Sequence, residues 1–168
     1  MILRTARVRL RELTAADAAF MIELLNDPAF IANIGDRGVR TAAYAEAYID
    51  RGPRASYALH GFGLYLVEIE PDGPPIGICG ILKRDALPDP DLGFAFLPAY
   101  RGHGYAFEAG SAVLDFARRT LALRRLLAIV NPGNAASIRL LEKLGFGFEA
   151  MMTMPGDTHE VRLLSTRL

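Results

Sequence analysis

Cysteine is almost missing from this 168-residue chain. Cys79 stands alone, so no internal disulfide can form and the oxidised framework of small secreted proteins is excluded. An excess of one charge is missing as well. The 19 Lys+Arg balance the 19 Asp+Glu, and this holds in each half of the chain, so neither half is a charged tail. That removes the electrostatic ground for a nucleic-acid partner, which would meet a basic patch able to neutralise several phosphates. Lysine is scarce: Lys83 and Lys143 stand among arginines scattered along the chain rather than gathered in a stripe. No uninterrupted apolar run reaches the length of a membrane helix. The first twelve residues interleave arginine with apolar side chains and lack the apolar core of a signal peptide. The expectation is a soluble, cytoplasmic protein with no membrane or nucleic-acid partner. Apolar content is 51%, enough at this length for a core without metal or disulfide staples, so residues 1–168 are expected to form one domain with no metal.

What is present reads as alternating strands and helices. Arg7-Val8-Arg9-Leu10-Arg11 alternates with the period of a half-buried strand. Thr14 and Asp17 have the spacing of a capping box. Phe20/Leu24 and Met21/Leu25 then recur at helical spacing until Asn26-Asp27-Pro28 stops the helix. Thr41 opens a second helix that Gly52-Pro53 is expected to end, after a Gly/Asp/Arg-rich loop over residues 33–40. Residues 62–70, 75–82 and 92–97 then read as a strand meander. A glycine loop leads into a helix over 106–117, followed by a strand at 125–130. Asn134 caps a helix that Gly145 terminates, and strands at 148–154 and 160–164 complete the chain.

The loop Arg101-Gly102-His103-Gly104-Tyr105-Ala106 lies between a strand and a helix. Two glycines there let backbone N–H groups converge at a helix N-terminus, an arrangement suited to phosphate or pyrophosphate; an ordinary strand-to-helix turn has the same local pattern. A P-loop would need Gly-Lys-Ser/Thr, and Gly104 is followed by Tyr105-Ala106. A dinucleotide fingerprint would need a small residue where Phe107 stands and an acid near Arg124 and Arg125.

The same six residues resemble the Arg/Gln-x-x-Gly-x-Gly/Ala signature of the GNAT superfamily of acetyl-CoA-dependent N-acetyltransferases, and the element order is similar too. The flanking Asp91-Leu92-Gly93-Phe94-Ala95-Phe96-Leu97-Pro98, Phe107-Glu108-Ala109, Asn134-Ala135-Ala136-Ser137 and Leu141-Glu142-Lys143-Leu144-Gly145-Phe146 resemble the branch of bacterial ribosomal-protein N-terminal acetyltransferases. The resemblance is strongest over residues 90–147 and weakest over 28–55. It implies an α+β fold: a mixed, mostly antiparallel central sheet of about seven strands with four helices, and a splayed strand before the glycine loop. It implies acetyl-CoA as cosubstrate. The backbone of Phe94, Ala95 and Phe96 would pair with the pantetheine arm. The amides from Gly102 through His103, Gly104, Tyr105 and Ala106 to Phe107 would hold the pyrophosphate, with charge from Arg101 and His103, and Asn134 would contact the pantetheine.

The catalytic groups are harder to read. Where many family members carry a tyrosine acid this chain has Leu141, and the resemblance to the ribosomal-protein branch makes Ser137 the candidate acid; a first-turn helix serine bonded to backbone amides is the other reading. Glu68 is the candidate base with Asp91 behind it, though either is also an ordinary strand carboxylate. An α-amine of pKa about 7.7–8.0 needs only a weak base, whereas a lysine-like amine near 10.4 costs roughly 4–5 kcal/mol to deprotonate. Cys79 reads as a buried small hydrophobe. The expected reaction is direct attack of a primary amine, of a protein N-terminus or a small molecule, on acetyl-CoA in a ternary complex. A silent acetyl-CoA-binding sensor is the alternative, and the oligomeric state is open between monomer and homodimer.

Overall fold

The computed structural model describes residues 2–168; Met1, at the head of the N-terminal stretch considered above, lies outside them. The chain begins with a strand that the sequence pattern did not single out, β1 (Ile2–Arg4), which turns through Thr5 onto β2 (Val8–Arg11). It raises the sheet to eight strands. A short 3-10 turn, with the Asp17 carboxylate accepting from the Thr14 amide at 2.8 Å, leads into α1 (Ala18–Leu25).

Helices are more numerous than the four expected, for two local reasons. Asn26-Asp27-Pro28 does stop α1, but an Asp followed by Pro is also an N-cap followed by a favoured first helical position. The Asp27 carboxylate accepts from the Phe30 amide at 3.1 Å and starts α2 (Pro28–Asn33). Gly52-Pro53, in contrast, does not end α3 (Ala42–Ile49). A proline ring clashes with the carbonyl four residues back. A π turn over Asp50–Arg54 relieves this by bonding the Ala55 amide to the Asp50 carbonyl, and the chain continues as α4 (Ala55–His60) until Gly61, at φ +75°, stops it.

The remaining strands are β3 (Leu64–Ile69), β4 (Pro75–Leu82), β5 (Asp91–Phe96), β6 (Arg125–Val130), β7 (Gly147–Thr153) and β8 (Glu160–Arg167), with α5 (Tyr105–Arg119) and α6 (Ala135–Lys143) between them. The sheet order is β1-β2-β3-β4-β5-β6-β8-β7. Among the described residues every pair of neighbouring strands is antiparallel except β5 with β6, which run parallel. Strand alternation sends Val8, Leu10, Tyr65 and Val67 to a core shared with Val113 and Phe116 of α5 and Leu141 of α6. The intervening Leu66, with Ile78, meets Met21, Leu24 and Leu25 of α1 and Ile49 of α3 on the other face. One sheet thus carries a hydrophobic cluster on each side, in a mixed α+β fold.

A cleft between two splayed strands

β5 and β6 meet at one register pair, Asp91 opposite Leu127, supported by the Leu127 amide donating to the Pro90 carbonyl at 2.9 Å. Beyond that point β5 stays with β4, Phe94 opposite Cys79 and Phe96 opposite Gly77, and leaves β6. The gap opens as a cleft of about 930 Å³, within the range of small-molecule and cofactor sites. Phe94, Ala95 and Phe96 line one wall, so the backbone edge that faces away from β4 is available to an added extended chain.

The glycine loop forms the floor. Gly102 and Gly104 sit at φ +76° and +83°, a region that other residues rarely adopt. Gly104 caps α5, and the amides of Tyr105, Ala106 and Phe107 in the first turn have no acceptor four residues back within the helix. All three residues line the cleft, as do Gly102 and Gly104. The fifteen-residue helix adds its N-terminal partial charge. Arg7, from the turn between β1 and β2, holds the loop from outside. It donates to the His103 carbonyl at 2.9 Å and lies 4.9 Å above the Tyr105 ring. Burial alone would raise the pKa of Glu108, but hydrogen bonds from Thr5 and from the Arg7 amide and side chain outweigh it and hold this carboxylate below its ordinary range. The one acid in the first turn of α5 is thereby tied to the β1–β2 turn.

Arg101 lines the cleft but is committed elsewhere. One of its terminal nitrogens donates to Asp27 at 2.7 Å and its Nε donates to the Phe96 carbonyl at 2.9 Å. Asp27 Oδ2 also caps α2, whose Ala29, Phe30, Asn33 and Ile34 form another cleft wall. Arg101, expected to add charge to the amide-lined loop, is therefore also a strut between the splayed strand, the loop and α2. His103, the other charge expected here, does not line the cleft; its Nδ1 lies 2.8 Å from the Arg101 carbonyl. Further positive charge comes from two residues to which the sequence reading gave no part in the site, Arg139 and Lys143, one turn apart on α6. Their i, i+4 spacing was the available signal.

Asn134 caps α6 by accepting from the Ser137 amide at 3.2 Å, and both residues line the cleft. The Ser137 hydroxyl has no hydrogen-bond partner among the described residues, unlike a serine spent on its own helix. Leu141 is buried at 1% exposure and does not reach the cleft.

Neither expected base reaches the cleft either. Glu68 is buried and receives Arg9 Nε at 2.6 Å and Arg11 Nη2 at 2.8 Å. Burial opposes its ionisation, but the hydrogen bonds from Arg11 and Arg9 win and hold its pKa below the ordinary glutamate range, which makes it a poor proton acceptor. Burial raises the pKa of Asp91 against the pull of Arg84, which holds both its oxygens at 3.1 Å beneath the closed end of the gap. No carboxylate lines the cleft among the described residues. Cys79 is fully buried, and burial pushes its thiol up to about 12, which leaves it without nucleophilic character. Among the described residues no cluster of His, Cys, Asp or Glu could hold a metal ion, and no helix is long and apolar enough to cross a membrane.

Comparison with known proteins places this geometry. A family profile described as acetyltransferase (GNAT) domain matches residues 7–147. The Bacillus subtilis protein YkkB is 30% identical over 147 residues, covering 86% of this chain and 84% of that one. The crystal structure of an acetyltransferase from Agrobacterium tumefaciens superposes with a TM-score of 0.84 at 26% identity, over 99% of this chain and 94% of that one. RimL, a ribosomal-protein α-N-acetyltransferase in complex with coenzyme A, shares the fold at a TM-score of 0.85 and 16% identity, over 100% and 98% of the two chains.

Proposed function

The chain belongs to the GNAT family of acetyltransferases, and from that premise we propose that it is a single-domain N-acetyltransferase that moves the acetyl group of acetyl-CoA to a primary amine by direct attack. The observation that carries this reading is the cleft itself. A bare β5 edge, first-turn amides of α5 and the cations Arg139 and Lys143 meet in one space that, among the described residues, contains no carboxylate to repel a polyanion. Acetyl-CoA bound there supplies an activated thioester. The edge of Phe94–Phe96 would hold the pantetheine as an added strand, with Asn134 as a polar contact on the opposite wall. The amides of Gly102 to Phe107 would hold the pyrophosphate without any formal charge of their own.

Backbone N–H groups of the splayed strand would stabilise the negative charge that develops on the carbonyl oxygen. The neutral amine forms the new C–N bond as the C–S bond breaks. The amine proton leaves to solvent, and the Ser137 hydroxyl, with no other partner among the described residues, passes a proton to the departing thiolate while taking one from solvent, so that the serine ends protonated. With no carboxylate in the cleft, the acceptor must arrive largely neutral, which favours an α-amine over a lysine or polyamine nitrogen.

Calorimetric titration with acetyl-CoA, paired with thiol release across a panel of amines and N-terminal peptides, tests the proposal. Binding with acceptor-dependent thiol release is the expected result. Binding without turnover on any acceptor would make the protein a sensor, and the absence of binding would remove the assignment altogether.

A further inference from the structure

A second cavity, of about 620 Å³, opens between α3, α4 and the ends of β3 and β4. Its charged lining is of one sign. Arg37, Arg51 and Lys83 line it, beside His60 and the aromatic rings of Tyr44 and Tyr48, and no carboxylate does among the described residues. In a chain with zero net charge this is a local excess, and it follows from how neighbouring acids are used. Asp36, next to Arg37, is bound by Arg40 at 2.7 Å. Asp50, next to Arg51, is bound by Arg54 at 2.6 Å. Each arginine thus faces the cavity while its sequence-adjacent carboxylate is held by the arginine four residues further along. Neither Arg37 nor Arg51 has an ion-pair partner among the described residues, whereas Arg7, Arg9, Arg11, Arg84 and Arg101 all do.

The cavity and the cleft adjoin through one loop. Ile34, after the last turn of α2, lines the cleft, and Arg37 lines the second cavity. Three residues of chain span at most about 11 Å, so the two walls stand within the length of about three extended residues of each other. Guanidinium groups without internal partners, beside an ammonium and tyrosine rings, suit a carboxylate or phosphate carried on a small apolar body.

We propose that this cavity is an anion subsite for the acceptor: a carboxylate or phosphate of the amine substrate is held by Arg37, Arg51 and Lys83 while its amino group lies in the strand gap. The inference rests on the acetyltransferase reading and narrows its acceptor to an amine borne on an acidic molecule. Polycationic amines are repelled from the cavity and from the cleft, where Arg101, Arg139 and Lys143 are the charged lining.

Three pentapeptide amides, identical at the first two positions and carrying aspartate, asparagine or lysine at positions three to five, test it at low ionic strength. The aspartate peptide is expected to exceed the asparagine peptide about tenfold in kcat/KM, from a few partly exposed charge pairs, with the lysine peptide last. Arg51→Glu/Lys83→Glu is expected to reverse that order while the Kd for acetyl-CoA stays unchanged. Inorganic phosphate is expected to compete with the aspartate peptide and not with the asparagine peptide. Calorimetric titration of the same peptides onto the coenzyme A complex reads the preference without turnover. Equal affinity for the aspartate and asparagine peptides, or a preference that survives charge reversal in a folded variant, would overturn the subsite and leave the acetyltransferase reading standing. Failure to bind acetyl-CoA would overturn that reading instead.

Discussion

Single side chains in the cleft carry two kinds of burden, and substitution can separate them. Asp27 caps α2 and grips Arg101, at 7% side-chain exposure. Asparagine caps a helix as well as aspartate does. Asp27→Asn should therefore keep the cap and lose only the ion pair, about 1 kcal/mol or about 2–4 °C in melting temperature, while raising the KM for acetyl-CoA several-fold because Arg101 and the loop are no longer held. Asp27→Ala should also lower stability by about 1 kcal/mol through the lost cap. An unaltered KM in Asp27→Asn would show that the strut is structural only. Ser137 is a simpler case: Ser137→Ala should lower kcat about 10²-fold while the Kd for acetyl-CoA, measured by calorimetry, is preserved. The family resemblance made Ser137 the candidate acid, against the reading of a helix serine bonded to backbone amides, and what separates the two, a hydroxyl without a partner among the described residues, is a property of the folded chain.

At the level of elements, the glycine loop and the first turn of α5 act as one unit. A side chain at Gly104 would adopt the left-handed region at a cost of about 1–2 kcal/mol, and its Cβ would come within 3.1 Å of Arg7 Nη2. At Gly102 the same backbone strain applies, but nothing lies within 4 Å. Gly104→Ala should thus lose more acetyl-CoA affinity than Gly102→Ala at similar thermal destabilisation; equal affinity losses would argue that Arg7 does not help to hold the loop. The pairing of β2 with β3 carries a different consequence. Glu68 and Asp17, both buried and bound by arginines, have pKa values held below the ordinary carboxylate range. A carboxylate more acidic in the folded than in the unfolded chain adds stability above its unfolded pKa, and that contribution fades as pH falls through the folded value. Urea unfolding as a function of pH should show an acid limb below about pH 4 that is shallower in Glu68→Gln. An identical limb in the variant would mean that the Arg9 and Arg11 pairs contribute nothing to folding.

The whole molecule decides how the reaction meets pH. With Glu68 spent on arginines and Asp91 sealed beneath the strand junction, the cleft offers no carboxylate base among the described residues. The pH profile of kcat/KM should therefore follow the amine of the acceptor. Two acceptors whose amines differ by about one pKa unit should shift the inflection by about the same amount. An inflection fixed across acceptors would reveal a protein base. How far all this could be read beforehand follows from the range of the interactions. Alternation in Val8-Arg9-Leu10, helical spacing in α1 and α5, the Asn134 cap and the glycine pair depend on neighbours within a few residues, so the strands after β1, the main helices and the loop were legible, whereas Phe94–Phe96 and Ser137 were expected in the cleft only through the family resemblance. Asp27-Pro28 and Gly52-Pro53 show the limit of local signals, since an Asp-Pro pair can both stop and start a helix and a proline can be absorbed by a π turn when the next segment packs. Neighbours along the chain settle which residues can form strands, helices and an amide-lined turn. Which charges remain free is settled only when distant segments pack. Arg101 and Glu68 met partners 74 and 57 to 59 positions away, whereas Arg139, Lys143, Arg37 and Arg51 met no ion-pair partner among the described residues, because electrostatic pairing depends on distance in space and not on order along the chain.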